Sequence, residues 1–370
     1  MLAVGRALQG LGAAGMTSVN IALVRFTYPR RQLGRGIAMT AVAVSISSAA
    51  GPTVASAILA VASWPWLFAI DVPIGLVTLG LSLRLLPYTP HRFDLMSALL
   101  SGVASALLIR GITGIGHGQG VPVIVIELSG AMLAGYLLVR RQAALSLPLL
   151  PVDLFRRPVF ALSVTTSVCT FVALGVVFVT LPFYFQYVLG RSQVETGLLM
   201  TPWPATVALV APFAGRLADR YPAGILCGIG LAVLTSGFVL LAALPAQPHP
   251  ADIVWRMMIC GFGFGFFGSP NNRAIITSAP RERSGGAGAI QSTARLLGQT
   301  VGAALIALIF SFAGPSGGTG PTVAILLAAG FAALAAVLSV LRMFNFVRFS
   351  RAPRRASPAA REQQPRAAGK

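Results

Sequence analysis

Apolar runs of about 20 residues alternate with short polar segments along nearly the whole chain. A helix of about that length spans the hydrocarbon core of a bilayer. The pattern therefore predicts an all-α transmembrane protein. Eleven runs qualify: Leu2–Val24, Ile37–Ala62, Pro65–Leu86, Leu95–Gly116, Val121–Val139, Val159–Tyr184, Gly197–Leu217, Ile225–Leu244, Ile253–Ser269, Gly286–Phe312 and Val323–Leu341.

Positive charges fall mainly in every second loop between these runs, and again in the tail after Leu341. Arginine and lysine are enriched in the cytoplasmic loops of membrane proteins. We therefore expect a multi-pass membrane protein with a cytoplasmic C-terminus, whose basic tail contacts anionic lipids. Arginine outnumbers lysine 27 to 1, which suggests a GC-rich bacterial genome and hence a bacterial inner (cell) membrane.

The composition excludes several classes of protein. Hydrophobic residues make up 55% of the 370 positions and charged residues only 10%, which is unlike a soluble enzyme. The net charge of +19 is spread over loops between apolar runs, so nucleic-acid binding is not expected. The three Cys and three His are scattered, so neither a metal site, a cofactor nor a disulfide is expected. The segment Gly263–Gly268 matches GxGxxG, but no strand precedes it, which favours close helix packing over dinucleotide binding.

An internal repeat becomes visible when the chain is shifted by 251 residues against itself. Identical residues then coincide at positions where backbone geometry matters: Gly10 with Gly261, Asn20 with Asn271, Pro29 with Pro280, Gly34 with Gly285 and Gly51 with Gly302. Secondary transporters are often built from such repeats, with substrate handled at the interface between them.

The first run carries polar side chains on one side of its predicted helix. Arg6, Gln9 and Asn20 fall within about 60° of one another at 3.6 residues per turn. A charged residue inside a membrane helix usually faces a partner or a wet cavity. This side is therefore a candidate functional surface. The alternative is that Arg6 reaches the outer headgroups, because it lies near the start of the run.

Two further features inside the runs are candidates. Glu127 is the deepest carboxylate and is costly to bury unless it is protonated, paired or hydrated, so it is a candidate proton carrier or a structural residue. Gly51-Pro52 lies within the second run, where proline frees a backbone carbonyl and small neighbours permit close packing.

These residues resemble a known family. Arg6-x-x-Gln9-Gly10-x-Gly12 looks like the fourth-helix motif of drug:proton antiporters in the major facilitator superfamily, and Gly51-Pro52 falls where their antiporter motif has its Gly-Pro. Gly215-Arg216-Leu217-Ala218-Asp219-Arg220 resembles the cytoplasmic loop signature of the superfamily, although Pro222 stands where glycine is usual. The nearest resemblance is to the fourteen-helix exporters of methyl viologen and quaternary ammonium compounds.

The resemblance carries an expected layout. The eleven runs look like helices four to fourteen, with helices one to three absent. Residues 1–88 would then form a partial N-terminal bundle of three helices, 89–142 a linking hairpin, 143–345 a six-helix C-terminal bundle and 346–370 a basic disordered cytoplasmic tail.

The resemblance also implies a function, which is that of a transporter and not of an enzyme. We expect a monomeric exporter of amphipathic, cationic small molecules, driven by protons through alternating access. The expected proton pathway contains Arg6, Gln9 and Glu127, the antiporter motif Gly51 and Pro52, and the cytoplasmic gate Gly215, Asp219 and Arg220. The expected cavity residues are Asn20, Gln186, Asn271, Arg295 and Gln299. The alternatives are a truncated, non-transporting remnant, a full-length exporter whose start is mis-assigned, and a uniporter or channel without proton coupling.

Overall fold

The computed structural model describes residues 5, 9–10, 12–13, 16, 20, 23–63, 65–85, 94–116, 118–143, 152–280, 283–313 and 319–350. Eleven helices are named here within these ranges: α1 Leu33–Val61, α2 Asp71–Leu85, α3 Leu95–Gly116, α4 Val121–Ala143, α5 Pro158–Phe183, α6 Gln193–Met200, α7 Pro202–Ala218, α8 Ala223–Ala242, α9 Pro250–Ser278, α10 Ser284–Ala313 and α11 Thr319–Ser350. The described residues contain no strand, so the predicted all-α fold is confirmed.

The predicted spans agree with the helices. Nine helical segments are long and apolar enough to cross a bilayer within the described ranges, with α6 and α7 together forming one of them. Nine predicted runs correspond to these segments. The run Ile37–Ala62 corresponds to α1, whose apolar described part is Leu33–Ser48. The run Leu2–Val24 lies mostly outside the described residues.

Local sequence explains where several helices begin and end. Pro158, Pro202 and Pro250 occupy the first turns of α5, α7 and α9, where proline costs no internal hydrogen bond. Ser192 and Glu195 form a reciprocal capping box at the start of α6. After α5 the chain continues as a π-helical turn, Tyr184–Val188, of the kind often found at functional sites.

Helix α5 is the centre of the group formed by α5 to α11, because it packs against α9, α10 and α11. Glycines set the closest crossings. A Cβ atom at Gly302 would lie 2.8 Å from the backbone nitrogen of Val176, and one at Gly298 would lie 2.8 Å from the carbonyl oxygen of Val168. Only glycine lets α10 approach α5 so closely.

The GxGxxG segment is also a packing motif. A Cβ atom at Gly263 would lie 2.7 Å from the carbonyl oxygen of Gly230 on α8, and one at Gly265 would lie 3.2 Å from the Cα of Val207 on α7. Gly268 faces open space. The predicted close packing is therefore confirmed at two of the three glycines that follow the pattern.

Helices α3 and α4 form a hairpin whose first helix contacts α10. Asp94 closes the open end of this hairpin, since it accepts hydrogen bonds from Ser97 and pairs with Arg141 at 3.1 Å. The hydrogen bonds from Ser97 and Arg141 lower the pKa of Asp94 to about 2. Helix α1 packs mainly against α7 and also contacts α9.

Candidate functional site

The carboxylate of Asp219 joins α7 to the beginning of α1. Its Oδ1 atom accepts a 2.9 Å hydrogen bond from the backbone N–H of Gly34, and lies 3.3 Å from Nε of Arg273 on α9. The side chain of Asp219 is 8% exposed. The first N–H groups of a helix lack partners within it and carry partial positive charge, so a carboxylate there is favourable. Arg273 also donates to the carbonyl oxygen of Ala218 at 2.6 Å, which closes the cluster.

Two glycines allow this approach. A Cβ atom at Gly215 would lie 2.6 Å from the Cβ of Ala38 and 2.6 Å from the carbonyl oxygen of Gly34. A Cβ atom at Gly34 would likewise collide with the carbonyl of Gly215. The backbones of α1 and α7 therefore touch beside Asp219, and any larger residue at either position would push the two helices apart.

Arg25 makes the second connection at this end of the molecule. It is buried and donates hydrogen bonds to the carbonyl oxygens of Ile276 and Ala279, the latter at 2.9 Å. These carbonyls belong to the last turn of α9 and the residue after it, where a cation is favourable. Arg157 donates to the neighbouring carbonyl of Ser278 at 2.6 Å. Arginines from two separate parts of the chain thus cap one helix.

Arg25 and Ile276 are also 251 residues apart, which is the offset of the internal repeat. Arg25 thus contacts the position that the repeat offset pairs with it. We call Arg25, Gly34, Gly215, Asp219 and Arg273 the latch.

Buried side chains of α1 lie in the first half of the helix, among those that the structure describes. Leu33, Ile37, Ala38 and Ser45 are buried, whereas Val61 at the end of the helix is 88% exposed.

Glu127 is paired. Its Oε1 atom accepts a 2.9 Å hydrogen bond from Nε of Arg110, which joins α4 to α3. Glu127 is buried, whereas the Arg110 side chain is 67% exposed. The pair explains how a carboxylate is tolerated inside a predicted span.

Asn271 belongs to a buried polar network inside the α5–α11 group. Its side chain binds Ser167 at 2.7 Å and Arg342 at 3.0 Å, and Arg342 also donates to Ser163 at 2.6 Å. Ser167 continues the chain by donating to Gln291 at 3.0 Å. Asn271 therefore lies within the helix group, fully buried, and not on an open surface.

The other predicted site residues are spread over the molecule. Arg6 lies outside the described residues. Gln9 and Asn20 are helical and exposed. A Cβ atom at Gly51 would meet no atom of the described residues within 4 Å. Pro52 continues α1, Gln186 lies half-buried in the π-helical turn, and on α10 Arg295 is half-buried and Gln299 exposed. Arg220 is exposed just beyond α7. Among the predicted gate residues, the structure thus brings Gly215 and Asp219 together with α1.

Sequence reasoning missed the partners of these residues. Arg25 and Arg273 are only two of many loop arginines in the sequence, and Gly34 is noticeable only as a member of the repeat. Arg342 lies at the start of the basic tail and gives no sign of burial. The repeat offset is the one signal that could have paired Arg25 with Ile276.

Comparison with known proteins agrees with the fold and the motifs. Residues 1–303 match the Major Facilitator Superfamily. The chain is 50% identical over 348 residues to the uncharacterized transporter YebQ of Escherichia coli (strain K12), covering 93% of this chain and 76% of YebQ. It is 31% identical over 321 residues to the multidrug resistance protein Stp of Mycobacterium tuberculosis, covering 84% of this chain and 59% of Stp. The multidrug efflux pump LfrA of Mycolicibacterium smegmatis is 29% identical over 318 residues, covering 84% of this chain and 63% of LfrA.

The chain thus spans less than two thirds of Stp and LfrA, and about three quarters of YebQ. The family match covers most of the chain, from its first residue to the middle of α10. With the latch at the interface between α1 and the α5–α11 group, the chain belongs to the Major Facilitator Superfamily.

Proposed function

We propose that this transporter exports amphipathic small molecules from a bacterial cell by alternating access, driven by proton influx. The observation that carries the proposal is the latch at one end of the molecule, where Asp219 binds Gly34 of α1 and Arg273 of α9, and Arg25 binds the end of α9. The arginine-rich loops at that end favour a cytoplasmic location. The structure then corresponds to a state closed toward the cytoplasm.

The chemistry of the latch suits a contact that opens and closes. Its bonds join charged side chains to helix ends, and both kinds of group are well hydrated once separated. Glycines at the crossing let the helices meet without interlocking side chains. Opening therefore breaks a few strong polar bonds and one small apolar contact, that of Val24, Leu33 and Ile37 with Ile276. A contact of this size is compatible with two states of similar free energy.

Proton coupling is the finer part of the proposal. Arg6 and Gln9 on the first helix are the proposed proton pathway, as the motif resemblance suggests, with Gly51 and Pro52 at the moving interface. Glu127 is a third candidate, although its pairing with Arg110 also fits a structural role. The same resemblance favours cations among the exported compounds. The names of Stp and LfrA, which refer to multidrug resistance and multidrug efflux, support the export of toxic compounds.

Transport by purified protein in liposomes tests the proposal. Asp219→Asn keeps an acceptor for the N–H of Gly34 but loses the charge that pairs with Arg273, so the closed state should weaken and substrate export should slow about tenfold. Asp153→Asn is the matched control, because Asp153 pairs with Arg283 at 2.7 Å beside α10 and has no part in the latch. Equal rates for the Asp219→Asn and unmodified proteins would contradict the role of the latch. Export that is indifferent to a proton gradient would contradict the coupling.

A further inference from the structure

A short 3-10 turn, Val152–Arg156, precedes α5 and lies beside the end of α9. Leu154 on this turn is 1% exposed and packs with Phe160 of α5 in a small apolar core. The next side chain, Phe155, is 42% exposed, and its ring meets that of Phe160 edge to face at 5.4 Å. Arg156 is exposed as well. The turn is therefore anchored by one apolar side chain and presents an aromatic ring and a guanidinium at the surface.

Helix α4 contacts this turn and carries a second exposed arginine, Arg140, in its last turn. The guanidinium of Arg140 lies 5.7 Å from the centre of the Tyr136 ring, a stacking that leaves the N–H groups at its edge free to donate. The apolar span of α4 ends at Gln142, and that of α5 begins at Pro158. Arg140 and Arg156 therefore belong to adjacent elements, and both lie at the depth of the lipid headgroups.

The carboxylates of this region are already engaged by other arginines: Asp94 by Arg141 at 3.1 Å and Asp153 by Arg283 at 2.7 Å. Arg157 donates to the carbonyl oxygen of Ser278. Arg140 and Arg156 have no carboxylate partner among the described residues. Two exposed guanidinium groups without a counter-charge are suited to binding a phosphate group.

We propose that Arg140, Phe155 and Arg156 form a binding site for an anionic phospholipid. The headgroup phosphate accepts hydrogen bonds from the two guanidinium groups, and an acyl chain lies against the exposed ring of Phe155. Because Arg140 belongs to the hairpin and Arg156 to the turn that leads into α5, the bound lipid joins the hairpin to the α5–α11 group. This site is separate from the basic tail after Leu341, and it does not depend on the transport function proposed above.

Lipid binding to the purified full chain, measured in detergent by native mass spectrometry, tests the site. Dioleoylphosphatidylglycerol is the anionic probe, and dioleoylphosphatidylcholine has the same acyl chains but no net charge. The site variant is Arg140→Gln with Arg156→Gln. The matched control is Arg84→Gln with Arg216→Gln, which removes the same charge from exposed positions in the last turns of α2 and α7. Arg216 also stacks on an aromatic ring, that of Phe213, at 5.7 Å.

The unmodified protein should bind phosphatidylglycerol about tenfold more tightly than phosphatidylcholine, as expected for two arginines that face a phosphate at the membrane surface. The site variant should lose most of this preference and the control variant should keep it. Arg156→Gln alone should reduce the preference about threefold and gives the same test if the double variant folds poorly. Equal affinity for the two lipids, or an equal loss in the site and control variants, would overturn the site.

Two further measurements separate a lipid that bridges helices from an ion on the surface. Inorganic phosphate in millimolar excess should leave phosphatidylglycerol bound, because it has no acyl chain to lie against Phe155. Displacement of the lipid by phosphate would overturn the lipid as the ligand. Phosphatidylglycerol should also raise the melting temperature of the unmodified and control proteins but not that of the site variant. An equal rise in all three proteins would contradict the bridge between the hairpin and the α5–α11 group.

Discussion

At the scale of single residues, the latch depends on the shape of its side chains as well as on their charge. Arg25 spreads its guanidinium over successive carbonyls at the end of α9. Lysine carries the same charge but has no planar fork to bridge two of these acceptors. A positive charge alone therefore does not reproduce the contacts that Arg25 makes in the latch.

Arg25→Lys should weaken the latch by about 1–2 kcal/mol, the value of one or two hydrogen bonds to a charged group. The protein should fold normally, and the rate of export should fall by about tenfold. Arg31→Lys is the matched control, since Arg31 is exposed only six residues further along the chain. Both are measured as initial export rates in liposomes. An unchanged rate for Arg25→Lys would show that Arg25 acts only as a positive charge.

The pairing of Glu127 with Arg110 gives a second prediction at this scale. Arg110→Gln leaves a buried carboxylate without its partner. The free energy of unfolding should therefore fall by roughly 1–3 kcal/mol, and the melting temperature should fall with it. The double change Arg110→Gln with Glu127→Gln removes both charges and should restore most of that stability. Thermal unfolding in detergent measures both, and export is recorded in parallel.

We expect the double variant to keep proton-driven export, since each charge has the other as its partner in the hairpin. Loss of export in a double variant that is as stable as the unmodified protein would instead identify Glu127 as a proton carrier.

At the scale of helices, glycine determines how closely the elements pack. Gly298 and Gly302 stand one turn apart on α10, and both face the backbone of α5. Replacing either by valine forces two backbones apart, because the closest atoms are main-chain atoms and the Cβ of Phe171, none of which can rotate away.

Gly298→Val should reduce the yield of folded, monodisperse protein severely, by disrupting the centre of the α5–α11 group. Gly330→Val is the matched control, because a Cβ atom at Gly330 on α11 meets no neighbour within 4 Å and valine adds the same bulk there. Size-exclusion profiles and melting temperatures of the two variants measure the difference. Equal behaviour of both variants would contradict the close crossing of α5 and α10.

The helices were predictable from sequence and their partners were not. Apolar runs about as long as a bilayer is thick determine where α3 to α11 lie, because lipid requires each helix to satisfy its own backbone hydrogen bonds. The motif Gly215 to Arg220 located the loop that contains Asp219. The attachment of Asp219 to Gly34, 185 residues away, depends on how two helices cross and leaves no local pattern. The burial of Asn271 and Arg342 has the same origin, since both are polar residues that only the assembled helix group encloses.

At the scale of the whole molecule, the α5–α11 group contains a buried polar network, and the latch joins this group to α1. A rigid group joined to its counterpart by a few separable bonds can rock as a unit, which is the motion that alternating access requires.

The distance between spin labels at the latch tests this account most directly. Labels at Arg35→Cys and Tyr221→Cys flank Gly34 and Asp219, both native positions are exposed, and the native cysteines are buried. Pulsed electron paramagnetic resonance in liposomes should give a short distance between the labels for the closed latch and a long one for the open latch. Asp219→Asn should raise the ratio of the long-distance to the short-distance population about tenfold. A single short distance that persists in Asp219→Asn and in every substrate and pH condition would contradict a latch that opens.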